Sequence, residues 1–266
     1  MSVADKVSDK LNDELGDELY DAWKGNRMLE PLTDRVPGIT LDDAYRIQLR
    51  TIARRVEAGE RHVGKKVGLT AAVVQKLFGV DQPDFGHLLS GMSHSSGATL
   101  DATRFIQPKA EGEIAFLLKH DLSGPGVTTA QVLAATECVL PCFEIVDSRI
   151  RDWKIKVQDT VADNGSSAAF VIGDRGVSPR SLDLTTAGLV LEKNGELVGT
   201  GAGAATLGNP ANAVAWLANA LGQYGIALKA GEVILSGSLS IMFPVKAGDH
   251  IHMSLGKVGT VSCRFA

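Results

Sequence analysis

Gln107-Pro108-Lys109-Ala110-Glu111-Gly112-Glu113-Ile114-Ala115-Phe116-Leu117-Leu118 reads as a buried strand except where two glutamates interrupt its opening. Residues i and i+2 of a strand point to the same face, so Glu111 and Glu113 converge on one spot. Like charges that close repel, and burial raises the cost, so the pair requires a proton or a cation to neutralise it. A hard divalent cation such as Mg²⁺ or Mn²⁺ suits this best, because it prefers oxygen ligands and keeps waters that exchange for substrate. The stretch therefore predicts a strand that carries a carboxylate metal site.

Working outward, a third acid sits in another apolar run, Leu140-Pro141-Cys142-Phe143-Glu144-Ile145-Val146-Asp147. Glu144 alone reads as well as a structural acid, at a strand edge or paired with Arg149, as it does as a metal ligand, but three buried glutamates together would suit one octahedral cation. Lys66, within Val63-Gly64-Lys65-Lys66-Val67-Gly68-Leu69-Thr70, lies in a Gly-flanked apolar segment where desolvation or a metal would depress its pKa toward acid/base range. Phe78-Gly79-Val80-Asp81-Gln82-Pro83-Asp84-Phe85-Gly86 is turn-rich and would hold Asp84 on a rigid loop, as a catalytic group or as an Asx-turn residue. Beyond Glu144, Ser148-Arg149-Ile150-Arg151-Asp152-Trp153 and Asp159-Thr160-Val161-Ala162-Asp163-Asn164-Gly165-Ser166-Ser167 gather polar groups, among which Arg could receive a substrate carboxylate and Asn or Ser could orient an oxygen. The six histidines lack metalloprotease spacing, and His250-x-His252 reads as a solvent face. A serine hydrolase is disfavoured because no Gly-x-Ser-x-Gly elbow occurs, Ser236-Gly237-Ser238 being a strand-end turn.

The organisation of the chain frames these candidates. Val3, Val7, Leu11, Leu15, Leu19 and Trp23 form the stripe of an amphipathic helix. Thr40-Leu41-Asp42-Asp43 resembles a capping box and opens a second helix, with Ala44, Ile47, Ile52 and Val56 inward, that fades near Gly59. From Val63 the texture changes to short apolar runs punctuated by glycine: Ile114 to Leu118, Val139 to Val146, Ala168 to Ile172, Leu189 to Leu191, Val233 to Leu235, Ile251 to Leu255 and Val258 to Phe265. Lys193-Asn194-Gly195-Glu196 predicts a type I′ hairpin, and Asn209-Pro210 starts a capped helix. The expected class is α+β, a helical region over 1–60 followed by a β-rich catalytic domain over 61–266. Gly199-Thr200-Gly201-Ala202-Gly203 lacks the Gly-Lys-Ser/Thr ending of a phosphate loop.

Composition narrows the partners. With 27 Lys and Arg against 31 Asp and Glu, the net charge is −4 and no basic block marks a nucleic-acid binder. The polar, acidic Met1 to Lys6 carries no apolar signal core, and no stretch approaches the roughly 20 residues of a membrane span. Three cysteines, Cys138, Cys142 and Cys263, suit a reducing compartment and core packing better than a disulfide framework or zinc, so the chain reads as cytoplasmic.

The order of these motifs, from Val63–Thr70 through Gly79–Gly86, Pro108–Glu113, Leu140–Trp153 and Asp159–Asn164 to Leu207-Gly208-Asn209-Pro210, Gly231–Gly237 and Gly259–Phe265, resembles the 2-keto-4-pentenoate (2-hydroxypenta-2,4-dienoate) hydratases. These belong to the fumarylacetoacetate-hydrolase-like superfamily and serve the meta-cleavage of aromatic compounds or steroids. The resemblance spans about residue 40 to the C-terminus. It implies a mixed β-rich fold and Mg²⁺ or Mn²⁺ held by Glu111, Glu113 and Glu144. Lys66 and Asp84 would stand beside the metal as acid/base residues, with Leu69, Arg149, Asp163 and Asn164 binding a small 2-oxo or 2-hydroxy dienoate. It also implies a homo-oligomer that associates with other enzymes of its pathway. The related 4-oxalocrotonate decarboxylases are the nearest rival, and Asp84 separates the two, since decarboxylation needs no acid to activate water. Hydration of a longer heptenedioate stays open because Arg149 and Arg151 could serve a second carboxylate, and a non-catalytic partner is disfavoured by the intact glutamates and Lys66.

Overall fold

Residues 8–266 are described by a computed structural model, so Val3, Val7 and the polar Met1 to Lys6 stretch lie outside the described residues. The rest of the first stripe forms α1, Asp9–Lys24, whose Leu11 N–H is capped by the Ser8 hydroxyl at 3.2 Å. A short α2, Leu32–Arg35, leads to α3, Leu41–Glu57. Its capping box forms as the sequence predicts, Asp43 N–H donating to the Thr40 hydroxyl at 3.2 Å and Thr40 N–H to the Asp43 carboxylate at 3.0 Å. Ala44, Ile47 and Ile52 point inward, but Val56 is 37% exposed. Arg55 takes the buried face of that last turn instead, its guanidinium 4.0 Å above the Trp23 ring and paired with Glu60.

After α3 come β1 (His62–Gly68), α4 (Ala72–Phe78), β2 (Asp84–Leu89), the short β3 (Ser93–Ser95) and β4 (Ala98–Leu100), then β5 (Lys109–Leu118). These are followed by α5 (Thr129–Ala135), β6 (Thr136–Val146), α6 (Val157–Ala162), β7 (Ser167–Ile172), β8 (Gly188–Lys193) and β9 (Glu196–Ala202). Then α7 (Pro210–Gly222) leads into β10 (Val233–Leu235), β11 (Phe243–Pro244), β12 (His250–Leu255) and β13 (Gly259–Phe265). Every apolar run singled out as a strand is one. Asn194 and Gly195 take φ of 57° and 83° at the β8–β9 hairpin, the positive angles that a type I′ turn requires.

The strands build two sheets, one ordered β2-β1-β10-β5-β6-β7-β3 with β11 also on β5, the other β4-β13-β12-β8-β9. Most neighbours are antiparallel, while β1–β10, β3–β7 and β4–β13 are parallel, which gives a mixed α+β architecture. The alternation of β5 decides what each of its faces meets. On one face, Gly112 makes room for the second sheet: a Cβ there would stand 2.8 Å from Leu189 Cδ1 and Leu191 Cδ2 and 2.9 Å from Met253 Sδ. On the other face, Ala115, Cys142, Phe170 and Leu235 pack with Leu88, Leu89, Met92 and Ile52 of α3. Gln48 of α3 stitches this side together by donating to Phe85 O at 3.0 Å and Val161 O at 2.7 Å. Leu15, Leu19 and Ile47 of the helical region share one buried cluster with Ile114, Phe116 and Val161, so helices and sheets are packed around common side chains.

Candidate active site

In the β5–β6 ladder Glu111 stands opposite Glu144, and Glu113 opposite Cys142. Directly opposed residues project to the same side, so the register delivers three carboxylates to the α3-covered face of the sheet. One oxygen of each lies within 4.8 Å of the others. Glu113 is 0% and Glu144 1% exposed, while Glu111 is half-buried. Glu113 Oε2 accepts a hydrogen bond from Gly237 N–H at 2.7 Å. Glu113 Oε1 and both Glu144 oxygens are buried with no donor among the described residues. Buried acceptors left in that condition are costly, and a hard cation meets the need of all of them at once, so the donor set fits a divalent ion. Burial, then Glu144, lifts the Glu111 carboxyl to about 7. Burial, with Glu144 and Glu111 adding to it, pushes Glu113 well above the ordinary carboxylate range.

Lys66 and Asp84 reach the same spot from the neighbouring hairpin. The β1–β2 register sets Lys66 opposite Gly86 and Gly68 opposite Asp84. Lys66 Nζ is 3.7 Å from Asp84 Oδ1 and 4.0 Å from Glu144 Oε1, and both Lys66 and Asp84 are 3% exposed. Gly68 is required here, since a Cβ at that position would stand 2.2 Å from Asp84 Oδ1 and 2.9 Å from Lys66 Nζ. Two expectations need correction. Asp84 is not on a loop: it is the first residue of β2, and the ladder fixes its backbone. Nor is the Lys66 ammonium depressed. Burial pulls it down, but Glu144 and Asp84 outweigh that and hold it above the usual lysine value. Its neighbour Lys65 projects to the opposite face and pairs with Glu232 at 2.6 and 2.7 Å.

The remaining candidates divide. Arg149 is committed to Asp163, with Nε to Oδ1 at 2.5 Å, backbone N–H to Oδ2 at 2.8 Å and Nη2 to the Asp163 carbonyl at 2.9 Å. Burial raises the Asp163 carboxyl to about 6, the Arg149 charge offsetting part of the effect. Asn164 spends its carboxamide on β2, accepting from His87 N–H at 2.8 Å and donating to His87 O at 2.9 Å. Leu69 leaves the end of β1 with φ of 54° and a half-buried side chain, three residues from Lys66. Arg151 is paired at the surface with Glu30 at 2.7 Å. Three participants escaped sequence reasoning: Gly237, which donates to Glu113; Gly165, which abuts Lys66; and Tyr45, which stacks on Phe85 with ring centroids 4.1 Å apart. The glycines carry no side chain to attract notice, and the Tyr45 signal is that of a core aromatic.

Residues 70–266 match the family model described as fumarylacetoacetate (FAA) hydrolase C-terminal. A 2-hydroxyhexa-2,4-dienoate hydratase of Comamonas testosteroni is 56% identical over 248 residues, 92% of this chain and 94% of that protein. A 2-hydroxypent-2,4-dienoate hydratase of Pseudomonas putida is 61% identical over 209 residues, 78% of this chain and 94% of the relative. Among solved structures, a 4-oxalocrotonate decarboxylase from Pseudomonas putida G7, complexed with magnesium and adipate, superposes with a TM-score of 0.95 at 37% identity, covering 98% of this chain and 99% of the other.

Proposed function

The chain belongs to the fumarylacetoacetate hydrolase family, and from that premise we propose that it is a metal-dependent hydro-lyase that hydrates 2-hydroxypenta-2,4-dienoate (2-oxopent-4-enoate) to 4-hydroxy-2-oxopentanoate in meta-cleavage catabolism. The observation that carries the reading is the meeting of Glu111, Glu113 and Glu144 with Lys66 and Asp84 in one buried site. The three glutamates would hold Mg²⁺ or Mn²⁺, whose chemistry when bound is Lewis-acid stabilisation of negative charge on the substrate 2-oxygen. Lys66 moves the proton at that oxygen as the dienol becomes a ketone and C5 is protonated. Asp84 then positions the water whose oxygen adds at C4 and takes its proton, while C3 gains one. The burial of both groups excludes bulk water from competing. Leu69 borders the substrate, and Arg149, Asp163 and Asn164 serve the wall around it.

The ion pairs also bear on substrate length. A heptenedioate would need a cation for its second carboxylate, yet Arg149 is held by Asp163 in the interior and Arg151 lies at the surface beside Glu30, which favours the shorter acid. Decarboxylation of 4-oxalocrotonate is the second reading, favoured by the TM-score of 0.95 to the decarboxylase but opposed by the 56% and 61% identities to hydratases. Offering the purified protein both substrates with Mg²⁺ or Mn²⁺ decides between them. Faster loss of dienoate absorbance, abolished in Glu113→Ala, is the expected result, and faster CO₂ release from 4-oxalocrotonate would overturn it. No helix among the described residues is long and apolar enough to cross a membrane. The reading further places the enzyme in the cytoplasm as a homo-oligomer that associates with other enzymes of its pathway, which sedimentation of the pure protein and of mixtures would test.

A further inference from the structure

Between α6 and β7 the chain runs through Asn164, Gly165 and Ser166 with φ of 58°, 59° and 55°, three successive residues in the left-handed region. Two of the three bear side chains, and such a conformation persists only where surrounding bonds over-determine it. Those bonds are present. Arg149 grips Asp163 through its backbone N–H, its Nε and its Nη2. Ser166 N–H donates to Asp163 O at 3.0 Å, Asp147 N–H donates to Ser166 O at 2.8 Å, and the Thr160 and Ser166 hydroxyls meet at 3.0 Å. Asn164 clamps both backbone groups of His87 in β2.

What the turn presents to the site is bare backbone. A Cβ on Gly165 would lie 2.5 Å from Lys66 Cε, 2.6 Å from Lys66 Nζ and 3.7 Å from Asp84 Oδ1. A Cβ on Gly86, the ladder partner of Lys66, would lie 2.5 Å from Asn164 O, so the turn rests against β2 as closely as two main chains can. Lys66 has four rotatable side-chain bonds, and its nearest carboxylates, at 3.7 and 4.0 Å, are too far for hydrogen bonds that would fix it. The wall at Gly165 is in direct contact range and limits where the amine can go.

We infer that Gly165 is a positioning residue: the left-handed turn braced by Arg149, Asp163 and Asn164 presses its backbone on Lys66 and holds the amine between Asp84 and Glu144. The inference rests on Lys66 being the acid/base group of the proposed reaction. Its test compares Gly165→Ala, Lys66→Met and the double variant with the parent enzyme, measuring kcat, KM and Mn²⁺ affinity by titration calorimetry. Gly165→Ala is expected to lower kcat about 30- to 100-fold, with KM and the Mn²⁺ Kd each within about threefold of the parent, and the double variant should be no slower than Lys66→Met. A kcat for Gly165→Ala within about threefold of the parent overturns the inference alone, as does a double variant that loses the Gly165 factor again on top of Lys66→Met. Lys66→Met turning over at the parent rate overturns the role of Lys66 and the inference with it. Should Gly165→Ala not fold, Asn164→Gly keeps the left-handed angle while releasing β2. Its kcat should fall about tenfold at constant KM, and an unchanged kcat counts against the brace.

Discussion

Glu111→Gln should make the metal-free protein more heat-stable at pH 8 and leave it unchanged at pH 4. Burial and Glu144 raise the folded-state carboxyl from 4.5 to about 7. Below pH 4.5 Glu111 is protonated both folded and unfolded. As pH rises toward 7 the unfolded chain releases its proton first, so a contribution present in acid is lost, and above 7 the folded state carries an ill-placed charge in full. At about 1.4 kcal/mol per tenfold change in proton affinity, the shift from 4.5 to about 7 corresponds to a loss of about 3.5 kcal/mol, and the partial exposure of Glu111 trims this to about 2 kcal/mol. For a chain of this size that corresponds to roughly 4–8 °C in Tm. Glutamine keeps the shape and removes the charge. The assay is thermal unfolding of both proteins in chelator at pH 4 and pH 8, followed by circular dichroism. Saturating Mn²⁺ should then reverse the order, since a ligand at about 100 times its Kd stabilises the parent by about 2.7 kcal/mol and the variant by less. A variant that melts at or below the parent at pH 8 without metal, or that gains equally at both pH values, refutes the reasoning.

His87 is buried with neither ring nitrogen partnered among the described residues, and burial, then Lys65 and His62, lowers it to about 3. Protonation in the unfolded chain from pH 6.5 downward therefore destabilises the fold, and His87→Met should be about 3 kcal/mol more resistant to urea than the parent at pH 4 while differing little at pH 7. Lys65→Met leaves Glu232 charged in the interior and should cost about 3–5 kcal/mol in urea unfolding, whereas Lys65→Met with Glu232→Met should cost less than the single change. Gly112→Ala thrusts a Cβ to within 2.8 Å of Leu189 and Leu191, so it should lose about 1–3 kcal/mol and bind Mn²⁺ more weakly, as calorimetry would show.

Much of the site was legible because its chemistry contradicts its setting: an acid in an apolar strand demands a reason, and Glu111, Glu113 and Glu144 supplied one together. The hairpin at Asn194-Gly195 and the capping box at Thr40 were equally open, since their signals are local. Asp84 was misplaced on a loop because Pro83 and Gly86 are turn residues by composition, yet Gly86 is needed inside β2 so that the Asn164 carbonyl can approach. The raised Lys66 ammonium depends on Asp84 and Glu144, which the sheet brings in from β2 and β6; no window around Lys66 contains them both. Arg149 looked available for substrate because its partner Asp163 lies beyond a loop and a helix. Val56 fitted the α3 periodicity but lost its place to an arginine whose guanidinium lies over the Trp23 ring.

If Glu111, Glu113 and Glu144 hold the ion as proposed, the pairing of Glu111 with Glu144 across the β5–β6 ladder would make ion capture a readout of assembly. Displacing β6 along β5 by a single residue would turn Glu144 toward the Leu189, Leu191 and Met253 side and leave Glu111 and Glu113 without their third oxygen donor. A misthreaded sheet would be compact, would have ordinary far-ultraviolet dichroism, and would be unable to chelate. On that proposal, Mn²⁺ uptake during refolding would count only the molecules whose strands have found their native alignment.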